Sequence, residues 1–152
     1  MISNTSCLIA LDNINGLSIL RNRYGKILIT PEVAKEFGKP LDSWFSVMPV
    51  DNRNYLKILS YMVDIGEAST IALSLEHPGH TMILDDLKAR KLAHNLDLPY
   101  TGLLGVIAKA RQAGEIDSAK EVMDQLIAAN FRISDVMVRK TLILAGELDG
   151  TN

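Results

Sequence analysis

At 152 residues with 47% hydrophobic content, the chain is long enough to bury one core and too short for two ordinary domains. A charged fraction of 22%, with only 10 glycines and 5 prolines, excludes a disordered or fibrous protein. A net charge of −2 excludes a strong global field toward nucleic acid or anionic membrane, while leaving room for a local basic face. The single Cys7 cannot close an intramolecular disulfide, which fits a reducing compartment. No basic stretch precedes an apolar segment with a cleavage site, and Leu8 to Leu11 is too short to span a bilayer. The expectation is a soluble, cytoplasmic chain forming one domain over residues 1–152, with no membrane partner.

In chain order, Ile2-Ser3 reads as a very short strand ending at Asn4-Thr5-Ser6, residues of turn and N-cap type. Leu8, Leu11, Ile14, Leu17 and Leu20 recur at helical intervals, with Asn15-Gly16 as an interruption. Lys26 to Ile29 is a second strand. Thr30-Pro31-Glu32 then supplies an N-cap, a first-turn proline and a first-turn acid for a helix that stops near Gly38. Trp44 to Val50 alternates weakly, as an edge strand does. From Asp51 onward, Tyr55, Ile58, Leu59 and Met62 mark one face of a helix that Gly66 is expected to break. The next helix carries Ala68, Ile71, Ala72 and Leu75 at i, i+3, i+4, i+7 spacing.

His77-Pro78-Gly79-His80 is a turn, and Met82 to Leu84 is a strand. The helix behind it turns Ala89, Leu92, Ala93 and Leu96 inward. Leu98 to Tyr100 forms a last strand. A helix follows through Leu103, Val106, Ile107 and Ala110, with Gly114 just beyond its end. Additional helices at about 118–146 complete the chain. Short, apolar strands separated by helices predict a three-layer α/β/α sandwich around a short-stranded parallel sheet. A helical bundle is the alternative, because short apolar runs are ambiguous.

On the sandwich reading, the polar residues gather at strand ends. Asn4 ends the first strand, and Asp85-Asp86 ends the one at Met82 to Leu84. Glu67 opens the preceding helix, and Glu36 lies in the helix after Ile29. The carboxyl ends of parallel strands are where ligands bind. Adjacent carboxylates there repel unless a cation or a proton neutralises them. The pattern points to oxygen ligation of a hard divalent ion. Local readings stand beside this one: Asn4 and Asp86 as helix caps, Asp85 solvated, Glu67 as a first-turn acid, and Glu36 paired with Lys35 or Lys39. Lys88, Arg90 and Lys91 form a basic cluster next to the acids, either as a solvated face or as a phosphate-backbone contact. His77 and His80 lack a third ligand, and no Gly-rich phosphate loop occurs.

Several of these segments resemble the PIN domain family. Residues 2–11 (ISNTSCLIAL) are similar to its opening strand and turn, and residues 28–36 (LITPEVAKE) to its second strand and the helix carrying a Glu. Gly66 to Leu73 and Ile83 to Arg90 resemble one bacterial and archaeal branch related to VapC toxins. The stretch from Thr101 to Ile116 and the segment Phe131 to Ser134 continue the match.

The resemblance implies a Rossmann-like sandwich and Mg²⁺- or Mn²⁺-dependent RNA hydrolysis, with a toxin–antitoxin pair as one setting. It implies that Asn4, Glu36, Glu67, Asp85 and Asp86 are catalytic. Asn4, Glu67, Asp85 and Asp86 would hold metal, and Thr5, Ser6 and Thr101 would supply hydroxyls behind them. Asn4 stands where many members carry an Asp, so the alternative is a catalytically weak PIN-fold module binding RNA or a protein. The apolar residues at Tyr55 to Met62 and in the C-terminal helices predict a homodimer, as the resemblance also implies.

Overall fold

A sheet whose strands are only two or three residues long can persist only if both faces are covered, and the element order supplies that cover. The computed structural model describes residues 1–150. In chain order its elements are β1 (Ile2–Ser3), α1 (Thr5–Asp12), α2 (Ser18–Tyr24), β2 (Ile27–Ile29), α3 (Pro31–Phe37), β3 (Phe45–Val47) and α4 (Arg53–Leu59). They continue with α5 (Ile65–Glu76), β4 (Met82–Ile83), α6 (Leu87–Asn95), β5 (Tyr100–Thr101), α7 (Leu103–Gln112), α8 (Ala119–Ala128) and α9 (Asp135–Leu144). The strands form one parallel sheet in the order β3-β2-β1-β4-β5. The expected three-layer α/β/α architecture is the observed one, with β3 at an edge as its weak alternation suggested.

Side-chain alternation along each strand divides the core in two. Ile27, Ile29 and Ile83 point into one layer with residues from α1, α2, α3, α7 and α8. Ile2, Met82 and Leu84 point into the other, against α4, α5 and α6. Most helices open on the caps that the sequence advertises: Asn4, Thr30, Asn52, Asp64, Asp86, Ser118 and Ser134 each accept a backbone N–H from the first turn.

Three local expectations are corrected. Gly66 does not break a helix: Asp64 caps α5, and Gly66 lies buried in its first turn, where the absence of a side chain is needed for packing. On α4 the packed residues are Leu56 and Leu59, set against Val50 and Leu73, whereas Tyr55, Ile58 and Met62 are 45%, 61% and 54% exposed. The helix is only seven residues long, so its narrow contact line admits a single i, i+3 pair. Leu96 ends α6 as its C-cap residue and faces outward. Among the described residues, no helix is long and apolar enough to cross a membrane.

The C-terminal helices are fastened by one carboxylate. Glu147 accepts hydrogen bonds from the Ala119 and Lys120 amides and the Ser118 hydroxyl at the start of α8, and pairs with Arg111 of α7 at 3.2 Å. Burial opposes its ionisation, but these amide and hydroxyl donors and Arg111 outweigh it and hold its pKa below the ordinary carboxylate value. A lowered native pKa stabilises the fold above the unfolded-state pKa, and the gain is lost as pH falls through the native one. Urea denaturation should show Glu147→Gln destabilised by about 1 kcal/mol or less near neutral pH, after allowance for solvent screening. The deficit should close as the pH is taken below the normal carboxylate range.

Candidate active site

The chain leaves β1 to build β2 and β3 on one side, then returns to add β4 and β5 on the other. The crevice at the carboxyl ends of β1 and β4 is therefore the topological switch point, where open α/β sheets bind ligands. Parallel register pairs Ile2 with Met82 and Ser3 with Ile83, and the Asn4 amide donates to the Ile83 carbonyl at 3.3 Å. Asn4 and the Leu84-Asp85-Asp86 segment thus emerge at the same edge.

Asn4 is almost fully buried, at 1% exposure. Its Oδ1 accepts the Cys7 amide at 3.3 Å and its Nδ2 donates to Ser6 Oγ at 3.0 Å. It caps α1, and one lone pair of Oδ1 remains beyond the cap bond. A pocket of about 160 Å³ opens beside it, walled by Thr5, Ser6, Glu36, Asp64, Gly66 and Glu67, among others. Glu36 is held there by Thr5, whose hydroxyl donates to Oε1 at 3.2 Å. That placement requires Gly66, because a Cβ at this position would lie 2.1 Å from Glu36 Oε1.

Asp64 and Glu67 also line an adjoining groove of about 280 Å³, together with Asp86, Lys88 and Tyr61. Two acidic recesses thus share one wall. Asp86 caps α6 by accepting the Ala89 amide at 2.9 Å, so the capping reading and a place in the groove hold together. Glu67 carries the electrostatic cost of this crowding. Burial, the hydrogen bond it shares with Asp64, and the charges of Asp64 and Asp86 push its pKa up to about 8.

Asp85 has different surroundings. Its Oδ2 accepts the Cys7 thiol at 2.9 Å, its Oδ1 accepts the Leu103 amide at 3.0 Å, and Arg90 Nη2 lies 3.7 Å from Oδ1. Arg90 also donates through Nε to the Leu84 carbonyl at 2.7 Å. Burial, with the Asp85 charge beside it, pushes the Cys7 thiol well above its usual pKa. Asp85 lines neither acidic recess, and Arg90 turns inward instead of joining an exposed basic face.

Of the residues expected at the site, the structure brings together Asn4, Thr5, Ser6, Glu36 and Glu67 in one pocket, and Glu67, Asp86 and Lys88 in the next. Lys91 lies farther along, near Met62 and Leu92. Thr101 ends β5, close to the Gly105 backbone. His77 and His80 meet within their turn, through the His77 carbonyl and an edge-to-face ring contact at 6.2 Å between centroids. Sequence reading missed Asp64. Its signal was present, since Asp64 and Glu67 have the spacing of a capping box, and the Asp64 carboxylate accepts the Glu67 amide at 3.1 Å. Among the described residues, no three His, Cys, Asp or Glu side chains form a group ready to hold a metal ion.

The fold and this cleft define a doubly wound α/β protein with an acidic crevice at its switch point. A family model described as a PIN domain matches residues 1–147, and the chain belongs to that family. No curated protein and no solved structure matches the chain significantly.

The raised pKa of Glu67 fixes a pH signature. Between about pH 4.5 and 8 the folded chain retains a proton that the unfolded chain has released, so this group lowers stability as pH rises through that window. Glu67→Gln should match the wild type near pH 4 and exceed it by roughly 1–2 kcal/mol above pH 8, after allowance for solvent screening. Urea titrations in EDTA at several pH values would measure the difference.

Proposed function

We propose that the chain is a Mg²⁺- or Mn²⁺-dependent endoribonuclease of the PIN type. The observation that carries this reading is the crowding of Asp64, Glu67 and Asp86 at the switch-point crevice beside the buried Asn4 carbonyl. Every donor in this set is an oxygen, the kind that a hard cation selects, and Glu67 holds a proton where positive charge is wanted. The donor chemistry fits such an ion, while no three of the described carboxylates stand ready-made around one point. Glu67 and Asp86 would hold it, with the free lone pair of Asn4 as a neutral donor. When bound, the ion supplies Lewis-acid activation and charge neutralisation for phosphodiester hydrolysis.

The chain's own residues do the remainder. Thr5 and Gly66 hold Glu36 on the wall of the pocket, and Ser6 fixes the Asn4 amide by accepting from its Nδ2. Lys88 stands at the rim of the groove, where it can steady an RNA phosphate. Calorimetric Mn²⁺ titration combined with a single-stranded RNA cleavage assay tests the reading. Wild type should bind and cut, and Glu67→Gln should do neither. The proposed setting is the cytoplasm, as the toxin of a pair whose antitoxin fills the cleft. An antitoxin encoded by a neighbouring gene would support this.

A second reading, a PIN-fold module that binds RNA or a protein without cutting, is favoured by one observation: the side chain at the end of β1 is a neutral amide committed to a helix cap. Asn4→Asp separates the two. In EDTA it should destabilise the fold by adding repulsion. Mn²⁺ affinity should rise by roughly one to two orders of magnitude, about 1.4–3 kcal/mol, with cleavage rising in parallel. Equal Mn²⁺ affinity in both proteins would favour the non-cleaving module, because Asp and Asn cap equally well.

We also propose a homodimer. Tyr61 and Met62 after α4, and Ile58 within it, are 82%, 54% and 61% exposed, an apolar ridge left uncovered by the sheet. Sedimentation equilibrium at micromolar concentration should give twice the chain mass, and Ile58→Lys should return it to the monomer value.

A further inference from the structure

We propose that the two carboxylates after β4 have divided their labour: Asp85 is a positioning residue locked between Arg90, Cys7 and the first amide of α7, and Asp86 alone serves the cleft. The clause about the cleft rests on the nuclease reading above. The division itself does not.

Three observations converge on Asp85. Both of its oxygens are engaged, by the Cys7 thiol, the Leu103 amide and the Arg90 guanidinium. These partners come from α1, α7 and α6, so one side chain gathers three helices at the end of β4. Second, α7 opens on Gly102, which has no side chain to cap it, and Asp85 supplies the missing acceptor at a helix N-terminus that favours negative charge. Third, the guanidinium occupies space that only glycine leaves free, because a Cβ on Gly102 would stand 1.8 Å from Arg90 Nη2 and 3.0 Å from Asp85 Oδ1. Arg90 in turn ties itself to the Leu84 carbonyl, the residue immediately before the pair. The backbone before Asp85 is thereby fixed, the Asp86 cap on Ala89 holds the residue after it, and Asp86 lines the groove that it shares with Glu67.

The two roles predict opposite signs in the absence of metal. An unpaired carboxylate in an acidic cleft is relieved by amidation, whereas one paired with Arg90 is weakened by it. In urea titrations with EDTA, Asp86→Asn should raise the unfolding midpoint or leave it unchanged, and Asp85→Asn should lower it. In Mn²⁺ calorimetry, Asp85→Ala should lose about tenfold in affinity, the scale of a group that orients a ligand. Asp85→Asn should lose less, since its amide oxygen still accepts from Leu103, and Asp86→Asn should lose more than either.

Gly102→Ala provides a check that does not need the Asp85 variants to fold. It should lower the midpoint in the wild type and cost clearly less in Arg90→Ala, where the guanidinium is gone and only the 3.0 Å approach to Asp85 Oδ1 remains. The proposal is overturned if Asp85→Asn raises the midpoint while weakening Mn²⁺ as much as Asp86→Asn does. It is also overturned if Gly102→Ala costs the same with and without Arg90. A wild type inert toward Mn²⁺ overturns the nuclease reading alone, and the urea comparisons then decide the division by themselves.

Discussion

The pairing of β1 with β4 is the constraint from which the rest of the cleft follows. Two residue pairs, Ile2 with Met82 and Ser3 with Ile83, bring together segments eighty residues apart. Such a ladder has few hydrogen bonds and cannot stand on them. It is held by the burial of Ile2, Met82 and Leu84 in one layer and Ile83 in the other, each at 0% exposure. Period-two alternation gives the register no freedom, since a slip of one residue would exchange the two layers. Because the register is fixed in this way, the edge at which Asn4 and Asp85-Asp86 leave the sheet is fixed as well.

At that edge the chain meets the cost of gathered carboxylates in three ways. Asp85 is matched by an internal cation and by neutral donors, and Arg90 is accommodated by the bare Gly102. Glu67 is matched by a proton, taken from water at a pH where an ordinary glutamate would be ionised. Asn4 avoids the cost because it carries no charge. The first solution is permanent and belongs to the architecture. The second is exchangeable, and an exchangeable proton is what a cation can replace.

Much of the architecture was legible in the residues. Short apolar runs between amphipathic segments specified the parallel sheet, and cap residues such as Asn4, Thr30 and Asp86 marked helix starts. The errors have a common cause. Tyr55, Ile58 and Met62 are apolar and helically spaced, but α4 is too short to bury more than Leu56 and Leu59, and helix length is not encoded in periodicity. The propensity of Gly66 points to a helix break, whereas its place in the fold is set by the approach of Glu36 from α3. At the site, Glu67 and Asp86 could be picked out as acids beside a strand end. That Asp85 faces Arg90 rather than the cleft could not, because adjacent residues in a loop carry no periodicity to separate their directions.

Cys7 is fully buried in the first turn of α1, and its sulfur is hydrogen-bonded to Asp85. A thiol kept protonated and out of solvent is nearly inert to alkylation, since reagents attack the thiolate. Its modification must therefore wait for the helix to lift away from the end of β4. The rate at which this sulfur reacts is then a gauge of local opening where α1 packs behind the cleft. The natural chain thus carries a single-site reporter of breathing motion, with no label introduced.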